Sequence, residues 1–387
     1  MRRTWTVTRF LLPVVLAAAA AQLVTFSAQD LRIYRQAGAA LWQGGNPYDL
    51  PQFFAYAQQG FGRVDDRTLQ IWTPPPSLFV PLLLGTLGRN AAVVVWLSAL
   101  GLSVALGIGC GRRQRPGVGI AAAVSAAALL SPLLAHGIAW GSIASFEALP
   151  FFGLVLVLSR AGSRPAGLGA LLFLASFKPQ LIAAPLVRYA IGVFQRRDLL
   201  GSVPVAATLS AIVVGGAVLL RPALFDDYLT MDRTVFFAHA ASTVCLPRVL
   251  NAQPWVDLWR YSLVVALFLA IATAFWKATA HLSPGRQLVE FSPLTFLVVP
   301  YCWAHDYLVL LPWLMLLLHD SFQDRHAARR GLFWLGLGLW LAADVILARD
   351  LDLGHHVARY PLVGALCVWI AVRLLQLRAE RENSYGR

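Results

Sequence analysis

Three places in this chain hold ionisable side chains in surroundings that do not readily accommodate them. The first is Asp30, within Ser27-Ala28-Gln29-Asp30-Leu31-Arg32-Ile33-Tyr34. It stands just past an apolar run from Phe10 to Phe26, at a boundary between lipid and water. A carboxylate there is partly desolvated, which raises its pKa and suits it to abstracting a proton. The plainer role is an N-cap and dipole partner for a helix over Leu31–Trp42, and spacing alone favours that role. The second is Lys178, in Phe177-Lys178-Pro179-Gln180, inside an otherwise apolar run from Ala166 to Val187. A charge at membrane depth is costly and marks a function by default. Pro179 cannot continue helical hydrogen bonding and disfavours helical geometry at Lys178, so a broken helix presenting a cation to a phosphate is expected. The alternative is a lysine snorkelling from a short helix end. The third is Tyr301-Cys302-Trp303-Ala304-His305-Asp306-Tyr307. His305 could donate to a phosphate or shuttle a proton with Asp306 orienting it. Tyr301, Trp303 and Tyr307 by themselves read as an interfacial aromatic belt.

The elements that must position these groups follow from composition. Of 387 residues, 58% are hydrophobic and 13% charged. A soluble domain carries roughly a quarter charged residues, so most of this chain must be solvated by lipid. A span needs roughly 20 apolar residues, fewer when it is buried in a bundle. Full-length candidates begin near Phe10, Ala91, Val118, Leu199, Leu258, Leu332 and Tyr360, and shorter ones near Ala144, Ala166, Leu181, Leu288 and Tyr307. The expectation is an all-α polytopic membrane protein, one domain over residues 1–387, with about twelve transmembrane helices and helical extracytoplasmic loops. The segment Pro76–Leu87, after Pro74-Pro75-Pro76, is too short to cross and is expected to form a re-entrant or half helix.

The net charge of +13 would suggest nucleic acid in a soluble protein, but here the charges read as topology. With both termini cytoplasmic, twenty of the thirty-two Lys and Arg residues fall inside, in short clusters such as Arg112, Arg113 and Arg115, as the positive-inside rule requires. Two long polar stretches, 28–75 and 221–257, then face outward and hold many of the acids, among them Asp65, Asp66 and Asp232, while Asp350 and Asp352 lie in a further outer connection. The end from Arg378 reads as a short solvated cytoplasmic tail. Leu31, Tyr34, Ala37, Leu41 and Trp42 give the first outer helix an apolar stripe, expected to lie along the membrane interface.

The other features carry less. Cys110, Cys245, Cys302 and Cys367 show no CxxC or zinc spacing; Cys245 with Cys302 is the one bridge considered, and free thiols are the expectation. His355-His356 lacks a third ligand nearby, so no metal site is assigned. Glu147 and Asp344, in or at the edge of spans, could line a cavity and are not ranked. The absence of a Walker loop, a GxSxG elbow or an HExxH motif removes support for ATP-driven transport by this chain alone and for serine or zinc hydrolysis.

Several segments together resemble glycosyltransferase family 87. Asp30-Leu31-Arg32-Ile33-Tyr34-Arg35-Gln36-Ala37 with Gly44-Gly45-Asn46-Pro47-Tyr48 resembles its first outer loop, and Thr73-Pro74-Pro75-Pro76 with Pro81-Leu82 its proline-rich segment. Phe177-Lys178-Pro179-Gln180 resembles its Lys-Pro-Gln motif and Trp303-Ala304-His305 its late Trp-x-His, in the same order over residues 10 to about 320. Where the family carries an Asn-Gln-Ser-like patch this chain has Ala241-Ser242-Thr243 followed by Arg248, and Gly141-Ser142 stands for its Gly-Gln.

The resemblance implies a GT-C-type integral membrane glycosyltransferase at the plasma membrane, working on its extracytoplasmic face. It would take a sugar, mannose above all, from a polyprenyl-phosphate donor to a lipid or glycan acceptor. The resemblance makes Asp30 the base on the acceptor hydroxyl and Lys178 and His305 the holders of the donor phosphate. Gln180, Arg32, Tyr34, Tyr48, Arg248 and Asp306 are secondary substrate contacts. No cofactor or nucleic acid is implied beyond the lipid-linked co-substrate; a metal is not required, and a divalent ion is not excluded. The alternative is a secondary transporter or flippase in which the broken helix at Lys178 binds an anionic or lipid-linked substrate.

Overall fold

With no water in the hydrocarbon core to pair exposed peptide groups, a chain this apolar has to satisfy its backbone within helices. The computed structural model describes residues 29–49, 71, 74–115, 117–160, 164–195, 197–231, 244–254, 256–349 and 354–385. Every element among them is helical. The run from Phe10, the acids Asp65, Asp66, Asp232, Asp350 and Asp352, Thr73, Ala241-Ser242-Thr243 and the His355 and His356 side chains lie outside what is described.

Among the described residues, four helices are long and apolar enough to cross a membrane: α3 (Arg89–Gln114), α9 (Ser202–Leu220), α12 (Leu258–Thr279) and residues 357–382 of α17 (Gly354–Tyr385). On α9 and α12 the apolar side chains point outward, with Leu219 86% and Ile212 64% exposed. Such faces are stable only against lipid, and the chain is an α-helical polytopic membrane protein. Between them run α4 (Ile120–Trp140), α5 (Ala144–Leu158), α15 (Leu311–Gln323) and α16 (Ala327–Arg349). The turn from α4 into α5 places Gly141 at φ +67°, in the left-handed region that glycine enters without a Cβ clash.

Helices α3 and α5 lie side by side and run the same way. The Trp96 indole donates to Ser142 O (2.6 Å), the Ser103 hydroxyl to Ser145 O (3.0 Å) and the Gln114 amide to Ser159 Oγ (2.6 Å). This pairing defines two ends of the bundle, one at the start of α5 and one past its last residue.

The apolar run around Lys178 is a bent pair of short helices. It forms α6 (Pro165–Leu174) and α7 (Ala183–Gln195), joined through a 3-10 turn at Pro179–Ile182 and bent by 119°. At ten and thirteen residues, each arm is roughly 15–20 Å long and spans only part of about 30 Å of hydrocarbon. Helix α6 ends at Leu174, and Pro179 keeps Lys178 out of helical geometry, so the chain turns before α7 begins. The Pro76–Leu87 segment is likewise short, a 3-10 turn at Pro75–Ser77 and then α2 (Phe79–Gly85).

Helix α1 (Gln29–Trp42) packs on α2 with almost no side chain between them. A Cβ on Gly38 would lie 1.7 Å from Pro81 O, and one on Gly85 2.4 Å from Gly38 C. The buried stripe of α1 is Leu31, Ile33, Ala37, Ala40 and Leu41, whereas Trp42 is 49% exposed. The expected stripe through Tyr34 and Trp42 is therefore corrected: α1 is wedged among neighbours on two sides, so its apolar face is broader and rotated. Parts of the second polar stretch are also helical, α10 (Leu224–Thr230) and α11 (Leu246–Val249).

At the end past Ser159 a buried ionic network ties four segments. Arg373, fully buried in α17, bonds Glu290 of α13 (Pro284–Phe291) and Asp320 of α15. Arg115 bridges Asp320 and Glu380, and Arg286 reaches Glu290 and Glu380. The terminal stretch from Arg378 is thus the last turns of α17, held by Glu380, and not a merely solvated tail.

The α1–α2 contact makes a direct prediction. Gly38→Ala should destabilise the purified protein by about 1–3 kcal/mol, the usual cost of overpacking a close contact. Gly88→Ala, with no heavy atom within 4 Å of the new methyl, should leave the thermal unfolding midpoint unchanged.

Candidate functional site

The break between α6 and α7 sets the site. Lys178, between the end of α6 and the 3-10 turn, has a non-helical backbone (φ −123°, ψ 71°), so its N–H lies outside the helical ladder. That N–H donates to Glu147 Oε2 at 2.9 Å, across from the first turn of α5. Glu147 is wholly buried, and its other oxygen accepts no hydrogen bond. A buried carboxyl next to a freed peptide N–H satisfies a donor that lipid would leave unpaired.

The Lys178 side chain, 11% exposed, reaches toward Asp306, with Nζ 3.8 Å from Oδ1. This exceeds the ordinary hydrogen-bond range, so the ammonium is attracted to Asp306 without being tightly bound by it. Asp306 itself is rigid. Its Oδ2 accepts from the Trp303 N–H at 2.8 Å, within the 3-10 segment Ala304–Leu310, while the buried Oδ1 accepts no hydrogen bond. His305, also buried, places Nε2 3.7 Å from the same Oδ1. The Gln180 amide donates to Tyr301 OH at 3.4 Å, closing one side.

Asp30 completes the cluster from the first turn of α1. Its charge is felt by Lys178 and Asp306, and burial pushes its carboxyl from 3.8 up to about 6, with Lys178 pulling it down and Asp306 adding to the rise. Asp30 is not the N-cap of a helix over 31–42, because the helix already begins at Gln29. Tyr34, one turn along α1, packs edge-on against Phe177 at 5.7 Å between ring centres. The α1–α2 pair is joined to the break by Ser77, whose hydroxyl donates to Ser176 O at 3.2 Å. The candidate residues Asp30, Tyr34, Lys178, Gln180, His305 and Asp306 are thus brought to one place.

Arg32 and Arg248 are not among them, and Tyr48 adjoins them. Arg32 has Arg89 as a charged neighbour. Tyr48 is buried with Ile33, Leu41, Ile71, Leu78 and Leu224 in an apolar group that Tyr34 also packs against, its ring 5.3 Å from Tyr228. Arg248 neighbours Cys245, Arg359 and Tyr360. The aromatic belt is also corrected. Tyr307 is fully buried, stacked on Phe296 at 4.2 Å and donating its hydroxyl to Val244 O, and Tyr301 faces the cluster. Cys245 and Cys302 are buried thiols that form no disulfide.

Glu147 is the residue that sequence reasoning left unranked. Its signal was present, since it is the one acid in the apolar run Ala144–Leu158, and an intramembrane carboxyl marks a function by default. Asp30, Glu147 and Asp306 surround one lysine without gathering as a metal-ligand set among the described residues. The arrangement offers a cation, a base of raised pKa and two buried carboxyl oxygens that accept no hydrogen bond. Compared with protein-family models, with curated proteins and with solved structures, the chain matches none.

Glu147→Ala should leave the Lys178 N–H buried without an acceptor and destabilise the protein by about 1–3 kcal/mol. Glu147→Gln, which keeps a carbonyl oxygen at that position, should lose less. Thermal unfolding of the two variants in the same detergent measures the difference.

Proposed function

We propose that the protein is a membrane glycosyltransferase of GT-C type that uses a polyprenyl-phosphate sugar. The observation that carries this reading is the meeting of Asp30, Lys178 and the His305-Asp306 pair, drawn from three remote segments, at one end of the bundle. A single displacement needs a base on one side of the sugar and a cation on the other. Asp30 takes the proton of the acceptor hydroxyl, whose oxygen attacks the anomeric carbon. The bond from that carbon to the phosphate oxygen breaks with inversion, and its electron pair leaves on the polyprenyl phosphate. Lys178, loosely held by Asp306, and His305 stabilise the leaving phosphate, as preorganised charges do for a developing anion. Asp306 Oδ1 and Glu147 Oε1, buried without donors, suit the hydroxyls of a sugar better than a second phosphate.

In this reading the chain crosses about twelve times, counting the short buried helices and both arms of the bent pair. Both termini are then cytoplasmic, the Lys178 end faces outward, and the Arg373 end lies inside the cell. A broken helix carrying a cation is also how secondary transporters hold anions, so the assay must distinguish transfer from transport.

Purified protein, polyprenyl-phosphate mannose and candidate lipid acceptors should give labelled product, and Asp30→Asn should reduce it by about two orders of magnitude or more, the ordinary contribution of a general base. Full activity in the folded variant, or movement of the donor across a vesicle without product, would overturn the reading. The pH profile is a separate check. The base works only when ionised, and its pKa is about 6, so kcat/KM should rise as pH increases through about 6 and level off above it.

A further inference from the structure

Near the other end of α7 lies a second cationic group that the cluster around Lys178 does not use. Arg188 is 7% exposed, yet among the described residues no carboxylate lies within ion-pair distance of it. Its Nη2 donates to Gln287 Oε1, its guanidinium sits 5.9 Å from the Trp276 ring, and its buried Nε has no acceptor. Gln287 is fixed in turn, because its amide nitrogen donates to Thr279 O and Leu282 O, both at 3.0 Å. The carbonyl of Gln287 therefore cannot turn away, and the guanidinium is held in one orientation. An isolated buried charge held this way is costly unless something anionic compensates it.

Arg188 lines a half-open cavity of about 40 Å³ together with Gly192, Gln195, Leu199, Pro284 and Gln287. At roughly 10–15 Å³ of such volume per water, this is room for about three waters or one phosphate group. Gly192 keeps the space open, since the position a Cβ would take there is 3.6 Å from Arg188 Nη1. The outer face of the same segment is apolar, with Phe194 88%, Leu200 54% and Val187 48% exposed. A guanidinium in a small cleft beside a lipid-facing apolar surface matches the two parts of a phospholipid.

We propose that this cleft binds the phosphate of an anionic phospholipid, with Arg188 as its ligand and acyl chains along the exposed face of α7. Basic pockets between membrane helices bind lipid headgroups in this way, with the planar guanidinium suited to two phosphate oxygens at once. The site is independent of the glycosyl-transfer reading and of which leaflet it meets.

The test uses the full-length protein in detergent. Native mass spectrometry follows retained lipid as phosphatidylglycerol or phosphatidylcholine is added, and thermal unfolding is measured with each lipid and with inorganic phosphate alone. Wild type should hold phosphatidylglycerol about tenfold or more tighter than Arg188→Gln, the loss expected for one set of charge-assisted bonds. Arg164→Gln, at an exposed position before α6, should bind as wild type does. Gly192→Leu, which fills the cleft while keeping the arginine, should lose the same affinity and serves if Arg188→Gln does not fold. Undiminished phosphatidylglycerol binding in Gly192→Leu or in folded Arg188→Gln would overturn the proposal. So would equal binding of phosphatidylcholine, or stabilisation by inorganic phosphate equal to that by the lipid.

Discussion

Breaking a helix inside a membrane frees peptide groups that lipid cannot pair, and the bond from the Lys178 N–H to Glu147 is how this chain accommodates the break. Much of the site follows from it. The break stops α6, turns the chain through 119° and brings the lysine to the tip of the bend. Glu147 fixes that tip against α5, which is itself aligned with α3 by its Trp96 and Gln114 bonds. A lysine on a continuous helix would have no reason to face Asp306 and Asp30 together.

The two ends of the bundle handle charge in opposite ways. At the Arg373 end three arginines meet three carboxylates, and each charge finds a bonded partner of opposite sign. Breaking such a buried set is costly, which makes it a clamp on α13, α15 and α17. Around Lys178 three carboxyls meet a single ammonium, which stands 3.8 Å from Asp306 Oδ1. A group held at 3.8 Å can exchange partners, whereas one held in a bidentate fork cannot. Looseness at one end and closure at the other separate a region open to exchange from a structural tie.

Sequence reasoning reached the parts of the site that rest on local rules. Lys178 stood out because a charge and a proline interrupt an apolar run, and both consequences, the bend and the presented cation, follow from chain geometry within a few residues. Asp30 was ambiguous because a cap and a buried base share the same position after a span; only the packing of remote Lys178 and Asp306 separates the two. Tyr307 misled because an aromatic near a span end resembles a belt residue until the chain folds Phe296 under it. Arg115 and Arg373 read as topology because their acids lie far along the chain, with Arg115 and Glu380 separated by 265 residues; Arg286 pairs both with Glu290 four residues on and with the distant Glu380. The α1 stripe was misjudged by part of a turn since a helix buried on two sides has no single apolar edge.

The glycine contact between α1 and α2 has a mechanical consequence. Backbone lies on backbone at Gly38 and Gly85, the Trp42 indole and the Arg35 guanidinium bond to carbonyls of Leu82 and Leu87, and Ser77 ties the start of the pair to Ser176 beside the helix break. Asp30 and Lys178 are therefore mounted on one frame, in which α2 cannot shift without carrying both α1 and the helix break with it. The spacing between the acid and the lysine thus rests on contacts between backbones, which side-chain changes elsewhere in the bundle do not reset.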